Sequence, residues 1–96
     1  MQIIITDKKI IQPLYPVKYV KIISSEVAKI ELSKEIKSKY YINCLINPNK
    51  LEEFLGIKIG NDRVKLKDAI KPNCLIYTYC DGIFIQILLG ENGKNN

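Results

Sequence analysis

The residues of this chain that could do covalent chemistry are three cysteines, Cys44, Cys74 and Cys80, and the chain contains no histidine. A nucleophilic cysteine needs a base or a cation that stabilises its thiolate, and histidine most often supplies one near neutral pH. Its absence also removes the commonest zinc ligand, and no CxxC spacing occurs. We therefore expect no catalytic residue, no metal site and no cofactor. An odd number of cysteines is typical of reduced, buried thiols in a cytoplasmic protein.

Arg63 is the residue most suited to recognising an anion. It is the single arginine among fifteen basic residues, and it follows an Asn-Asp pair. Its planar guanidinium matches a carboxylate or a phosphate with two parallel hydrogen bonds, which lysine cannot do. The alternative explanation of this arginine is an ion pair with Asp62 or Asp68.

Three other patterns have a structural explanation beside a functional one. Glu52 and Glu53 would lie in the first turn of a short helix, where the helix dipole favours acids. Gly56 and Gly60 fit a helix end and a turn better than a phosphate-binding loop. Four tyrosines could stack on nucleic-acid bases, but strand tyrosines more often pack a core. They are Tyr40, Tyr41, Tyr77 and Tyr79.

The net charge of +5 belongs to the first half of the chain. Residues 1–50 contain nine basic and four acidic residues, whereas residues 51–96 contain six of each. Such a half is typical of solvated lysines or of a surface that binds nucleic acid or another polyanion. The first nine residues lack the features of a signal peptide, and no apolar run reaches the roughly 18 residues of a membrane span. We expect a soluble, cytoplasmic protein without a membrane partner.

Hydrophobic spacing predicts strands separated by helices and turns. Ala28, Leu32 and Ile36 recur at four-residue spacing and favour a helix over residues 24–39 with serine at its start. The alternation of Ala28, Ile30 and Leu32 leaves a strand open as the alternative. Strands are predicted at residues 3–5, 17–23, 40–46, 63–67, 74–79 and 83–89.

A second, short helix has the clearest signals in the sequence. Asn47 precedes Pro48, as at the start of a helix, and Gly56 follows the apolar positions Leu51, Phe54 and Leu55. Further along the chain, breaks are predicted at Pro13 to Pro16, at residues 71–73, and at the hairpin turn Asp81-Gly82.

Length and pattern together predict one domain. Ninety-six residues are too few for two separate cores, so residues 1–90 form a single globular domain and residues 91–96 a polar tail. The predicted fold class is α+β or α/β, with a mixed five- to six-stranded sheet and two helices. The strand at residues 83–89 is apolar at nearly every position, so as a free edge it would be covered by a second copy in a homodimer.

The middle of the chain resembles the viral ring nucleases, small type III anti-CRISPR proteins that degrade cyclic tetra-adenylate. The resemblance covers residues 41–79 and rests on Ile42-Asn43-Cys44 before a helix, on Leu51, Phe54, Leu55 and Gly56, and on Asp62-Arg63-Val64. It continues through Lys71-Pro72-Asn73 into Leu75-Ile76-Tyr77. It implies a mixed sheet flanked by helices, a homodimer and a ligand cleft across the dimer interface.

The departures from that family bear on activity. Asn43-Cys44 stands where the family has a Gly-His pair, so the catalytic histidine has no counterpart, and Thr78 to Gly82 replaces the downstream Arg and Glu. Arg63 aligns with a family arginine. The resemblance implies Arg63, Asn43, Cys44 and Asn47 as ligand-binding residues.

These observations predict a small, non-catalytic, virus-encoded binding protein in the host cytoplasm. It would bind a cyclic oligoadenylate-like anion or block a host defence protein. The alternative is a nucleic-acid-binding protein that uses the N-terminal lysines.

Overall fold

The computed structural model of the chain describes residues 1–9, 15–60 and 62–91. The predicted single domain with a mixed sheet is confirmed as an α+β fold of five strands and three helices. Pro13 and Leu14, Asn61 and residues 92–96 of the predicted tail lie outside the described residues. The strands are β1 (Ile3–Thr6), β2 (Val17–Ile23), β3 (Ile42–Cys44), β4 (Leu75–Cys80) and β5 (Ile83–Leu89).

The strands form one sheet in the order β2-β5-β4-β1-β3. Strand β1 pairs in parallel with both β3 and β4, with Ile4 opposite Ile42 and Ile76. The other two pairings, β4 with β5 and β5 with β2, are antiparallel. A strand that is paired on both sides and covered on both faces should be apolar throughout, and β1 is buried at each of its four positions.

Two helices cover one face of the sheet, α1 (Ser25–Ser38) and α2 (Pro48–Leu55). The predicted helix is therefore right and the strand alternative wrong, since Ile30 is 63% exposed while Ala28 and Leu32 are buried. The Ser24 hydroxyl accepts the Val27 N–H at 3.2 Å, which caps α1 as predicted. These helices pack on β-strand side chains that include Ile3, Ile5, Tyr77 and Phe84.

The glycine after α2 and the hairpin turn also agree with the sequence pattern. Gly56 has φ +74° and ends α2 by donating its N–H to the carbonyl oxygen of Glu52. Asp81 and Gly82 both have positive φ, as a tight two-residue hairpin requires. The turn at Asp81-Gly82 therefore joins β4 to β5 where it was predicted.

The opposite face carries one helical turn, α3 (Leu66–Ala69), and here the predicted strand at residues 63–67 is wrong. Leu66 and Ala69 are three residues apart, so one turn of helix buries both against Ile4 and Cys44. An extended strand would have directed them to different faces. Residues 62–65 form an irregular segment that leads into α3.

Strand β5 lies inside the sheet and not at its edge. β5 was expected at the edge, but it lies between β4 and β2, so its apolar residues are explained by pairing within the chain. Strand β2 forms an edge of the sheet, and six of its seven residues are exposed.

No helix in the described residues is long and apolar enough to cross a membrane.

Candidate anion-binding site

The candidate site lies beyond the carboxyl ends of the parallel strands β1 and β3, which are at the same end of the sheet. Ligands in sheets with parallel strands bind most often in the crevice outside those ends. Asp7 and Lys8 follow β1, and Leu45 to Asn47 connect β3 to α2. The irregular segment at residues 62–65 is the third part of the chain that lies at this end of the sheet.

The segment between β3 and α2 is held by its own side chains and by residues 63 and 64. The Asn43 side-chain oxygen accepts the Leu45 N–H at 2.9 Å, and Asn43 is 4% exposed. The Val64 N–H donates to the Asn43 carbonyl oxygen at 2.8 Å. Twenty residues of sequence therefore separate two segments that are directly hydrogen-bonded.

The side chain of Asp7 binds backbone groups just before α2. Its two carboxylate oxygens accept the backbone N–H groups of Ile46 at 2.8 Å and of Asn47 at 2.9 Å. Asn47 is the N-cap residue, as predicted, but its side chain makes no capping hydrogen bond. The carboxylate of a distant residue instead pairs with amide groups near the helix N-terminus, where negative charge is favourable.

Arg63 is fixed at one end and open at the other. Its Nε–H donates to the carbonyl oxygen of Leu45 at 3.0 Å. The alternative explanation of this arginine, an ion pair with Asp62 or Asp68, is not found among the described residues. Arg63 is exposed, so most of its guanidinium donors remain available to an anion.

Three lysines surround Arg63 and complete what we call the basic cleft. This cavity of about 340 Å³ is lined by Lys8, Arg63, Lys65, Leu66 and Lys67. Four of its five lining residues carry a positive charge, and none carries a negative one. A concave surface lined by one sign of charge concentrates counter-ions, so the cleft is suited to a phosphate-bearing ligand.

The cysteine at this site is unsuited to catalysis. Cys44 is fully buried, and burial raises the pKa of its thiol from 9.0 to about 11, with a smaller opposing effect of the Arg63 charge. At neutral pH the thiol is protonated and therefore a poor nucleophile. Burial likewise raises the pKa of Cys74.

The four predicted site residues have different surroundings, and of these four only Arg63 lines the basic cleft. Arg63 and Asn47 are exposed, whereas Asn43 and Cys44 are buried beneath them and support the backbone. Their contribution to ligand binding stays a prediction. In the described part of the chain, no three acidic or cysteine side chains come close enough to hold a metal ion.

Sequence reasoning missed Asp7 and the three lysines of the cleft. The run Arg63-Val64-Lys65-Leu66-Lys67 did carry a signal, because its bases alternate with apolar residues. The pattern was interpreted as an exposed strand, and so its charges were not treated as a site. No local pattern links Asp7 to residues 39 and 40 positions away.

Comparison with known proteins gives one informative result. No protein-family model matches the chain, and no curated protein matches it. The fold is similar to the solved structure of B116 of Sulfolobus turreted icosahedral virus. The TM-score is 0.65, with 91% of this chain and 98% of that chain covered and 10% of residues identical. At that identity the likeness shows a shared fold, so this scaffold is one that a virus protein also has.

Proposed function

We propose that this protein is a virus-encoded binding protein that holds a nucleotide-like anion in the basic cleft and does not cleave it. The observation that carries the proposal is the cleft itself, in which Lys8, Arg63, Lys65 and Lys67 meet without an acidic neighbour in the lining. Charge-assisted hydrogen bonds from such groups to phosphate oxygens are about twice as strong as neutral ones. The first candidate ligand is a cyclic oligoadenylate.

The neighbourhood of Arg63 supports this choice of ligand. Two of the short stretches on which the ring-nuclease resemblance rests, Ile42-Asn43-Cys44 and Asp62-Arg63-Val64, are hydrogen-bonded to one another through Val64 and Asn43. These parts of the resemblance therefore lie next to one another in the fold. The shared fold with a virus protein is consistent with a viral origin.

The non-catalytic part of the proposal rests on the missing proton-transfer group. Positioned acid or base side chains contribute roughly 10² to 10⁴ in rate, and the chain has no histidine to do so. The buried Cys44 thiol, with its raised pKa, does not replace one.

Calorimetric titration of wild type, Arg63→Ala and Arg63→Lys with cyclic tetra-adenylate tests the proposal. Loss of the guanidinium should weaken binding by about 1.5 to 3 kcal/mol, and lysine should restore part of it. Lys58→Ala, an exposed lysine outside the cleft, is the matched control and should bind as wild type does. Equal affinities of wild type and Arg63→Ala would refute the assignment. If no anion binds, blocking of a host defence protein remains as the function to test.

Nucleic-acid binding through the N-terminal lysines is the second candidate. Lys8 lies in the basic cleft, but Lys21 lies over the Tyr19 ring (4.9 Å) and Lys29 over the Phe54 ring (5.9 Å). A single-stranded RNA of unrelated sequence separates the two candidates. Binding of that RNA with a steep salt dependence, and equal losses on all sequences after lysine substitution, would favour general nucleic-acid binding.

We further propose that two copies associate through a sheet patch formed by Val20, Ile22 and Ile83. These side chains are 58%, 69% and 44% exposed, and they share the sheet face that bears α3 at its other end. Exposed branched apolar residues side by side on a sheet are typical of an interface. This replaces the expectation that β5 is the covered edge.

The charges at the two ends of the sheet patch support a second copy as its partner. Lys18 lies at the end of β2 that pairs with Leu89, and Asp81 lies at the opposite end, beside Ile83. A two-fold axis that lies in the interface and runs perpendicular to the strands would reverse these ends, so that Lys18 of each copy approaches Asp81 of the other. Self-complementarity of this kind is the requirement for a symmetric dimer.

A further inference from the structure

A second cavity lies at the other end of the sheet, where β1 and β4 begin. It has a volume of about 680 Å³ and runs between α1 and the exposed edge strand β2. We call it the tyrosine groove, after Tyr19 and Tyr77 in its lining. It is separate from the proposed anion site, because Lys8 of that site lies just after the opposite end of β1.

The floor of the tyrosine groove is a chain of hydrogen bonds directed toward Glu31. The Tyr19 hydroxyl donates to Gln86 Oε1 at 3.2 Å, and Gln86 Nε2 donates to the Tyr77 hydroxyl at 3.0 Å and to Glu31 Oε1 at 3.3 Å. The Tyr77 hydroxyl donates to the same Glu31 oxygen at 2.6 Å. Tyr77 and Gln86 are 4% and 5% exposed, so this is a buried network with a fixed donor order.

Glu31 is the end of the network and has one oxygen left. Its Oε1 accepts two hydrogen bonds, whereas its Oε2 accepts none from the described residues. Burial and the adjacent Glu31 carboxylate raise the pKa of Tyr77, so that hydroxyl stays a donor at neutral pH. The groove therefore offers a carboxylate acceptor whose orientation is set by two buried side chains.

The other lining residues indicate which ligand suits that acceptor. Lys21 and Lys34 balance Glu31 and Glu35, so the side chains offer no net attraction to an anion, unlike those of the basic cleft. Ile3 and Leu75 supply apolar surface, and the rings of Tyr19 and Tyr40 supply flat surface. Cavities of roughly 300 to 1,000 Å³ with a few convergent polar groups hold small aromatic ligands.

We propose that the tyrosine groove binds an uncharged heteroaromatic base with an exocyclic amino group, whose N–H donates to Glu31 Oε2. The ring would lie against the apolar and tyrosine surface, and the Lys21 or Lys34 ammonium would donate to a ring nitrogen. This proposal does not rest on the proposed function, because the two cavities share no lining residue.

Adenosine and purine riboside are the matched probes, since purine riboside has a hydrogen atom in place of the amino group and no N–H on its six-membered ring. In titrations followed by NMR, adenosine should shift the signals of Tyr77 and Gln86 and bind about tenfold more tightly than purine riboside, the effect of one hydrogen bond to a charged group. Equal affinities for the two nucleosides, or no saturable shift at these residues, would overturn the proposal.

Glu31→Gln and Glu35→Gln form the matched pair of variants. The glutamine at position 31 keeps an acceptor for Tyr77 but turns the other position into a donor, so the preference for adenosine over purine riboside should be lost. Glu35 lines the same groove outside the network, and its variant should keep that preference. If both variants lost the preference, removal of either negative charge would be enough to explain it, and the assignment to Glu31 would be refuted. Arg63→Ala should leave adenosine binding unchanged, which separates this result from failure of the anion site.

Discussion

The carboxylate of Asp7 accepts the backbone N–H of Asn47 at 2.9 Å, across 40 residues of sequence. This bond ties the end of β1 to the start of α2, so one side chain joins a strand that is paired on both sides to the helix beside the basic cleft. The same carboxylate accepts the Ile46 N–H. Asp7 therefore already occupies these two backbone amides before α2, so the anion proposed for the cleft would be bound by side-chain cations.

Replacing Asp7 should destabilise the fold. Asp7→Ala removes both bonds at the N-terminus of α2, and we expect a loss of about 1 to 2 kcal/mol in the free energy of unfolding, as for other helix caps. Urea denaturation followed by circular dichroism measures it. Asp62→Ala, which removes an exposed carboxylate, is the control, and an equal loss in both variants would contradict the capping role.

Cyclic tetra-adenylate should survive incubation with this protein. The chain has no histidine to activate a ribose hydroxyl or protonate a leaving oxygen, and the buried Cys44 thiol is protonated at neutral pH, so we expect no such catalysis. Chromatography of the nucleotide after incubation checks this. Rapid conversion to linear fragments would show that the protein is an enzyme.

Stability should fall in alkaline solution through Cys44. Burial raises the pKa of this thiol from 9.0 to about 11, so between these values the unfolded state loses a proton that the folded state retains. The contribution is complete below pH 9 and declines as pH rises toward 11, by about 2 to 3 kcal/mol in total. Cys44→Ala should show a shallower decline over this range than wild type. Parallel curves of unfolding free energy against pH would contradict the raised pKa.

The sheet patch should hold a dimer in solution. Light scattering should give twice the chain mass of 11.0 kDa for wild type and the monomer mass for Ile22→Lys, because a charge on the patch opposes its burial. Ile30→Lys, a similarly exposed position on α1, should stay dimeric. A monomeric wild type at micromolar concentration would end the dimer proposal.

Charge reversal tests the orientation of the two copies. Lys18→Glu and Asp81→Lys each place like charges opposite one another and should weaken the dimer. The double variant restores opposite charges and should recover the wild-type dissociation constant in part or in full. Additive weakening in the double variant would exclude the two-fold arrangement.

Local patterns in the sequence predicted the helices well, because the residues that a helix buries recur at three- or four-residue spacing within the helix itself. Ala28 and Leu32 are fully buried at four-residue spacing, and Gly56 has the positive φ that ends a helix. Alternation misled at residues 63–67, where two buried residues at three-residue spacing, Leu66 and Ala69, make a short helix of a segment that resembles a strand.

The order of the strands and half of the site could not be predicted, because both depend on long-range pairing. Nothing near Ile83 in the sequence says that β2 will cover the edge of β5, and nothing near Asp7 points to Asn47. Arg63 was predicted because its residue type is unusual in this chain. Lys8 and Lys65 are ordinary lysines whose role follows from where the fold places them.

The position of β1 between two parallel partner strands also affects the order in which the chain folds. Its first partner begins at Ile42 and its second at Leu75, so both of its edges are paired only with strands that lie far along the chain. The β4–β5 hairpin, by contrast, closes over two residues. Closing large loops is slow, so we expect the hairpin to form early and β1 to insert late, with refolding slower than in helical proteins of this length.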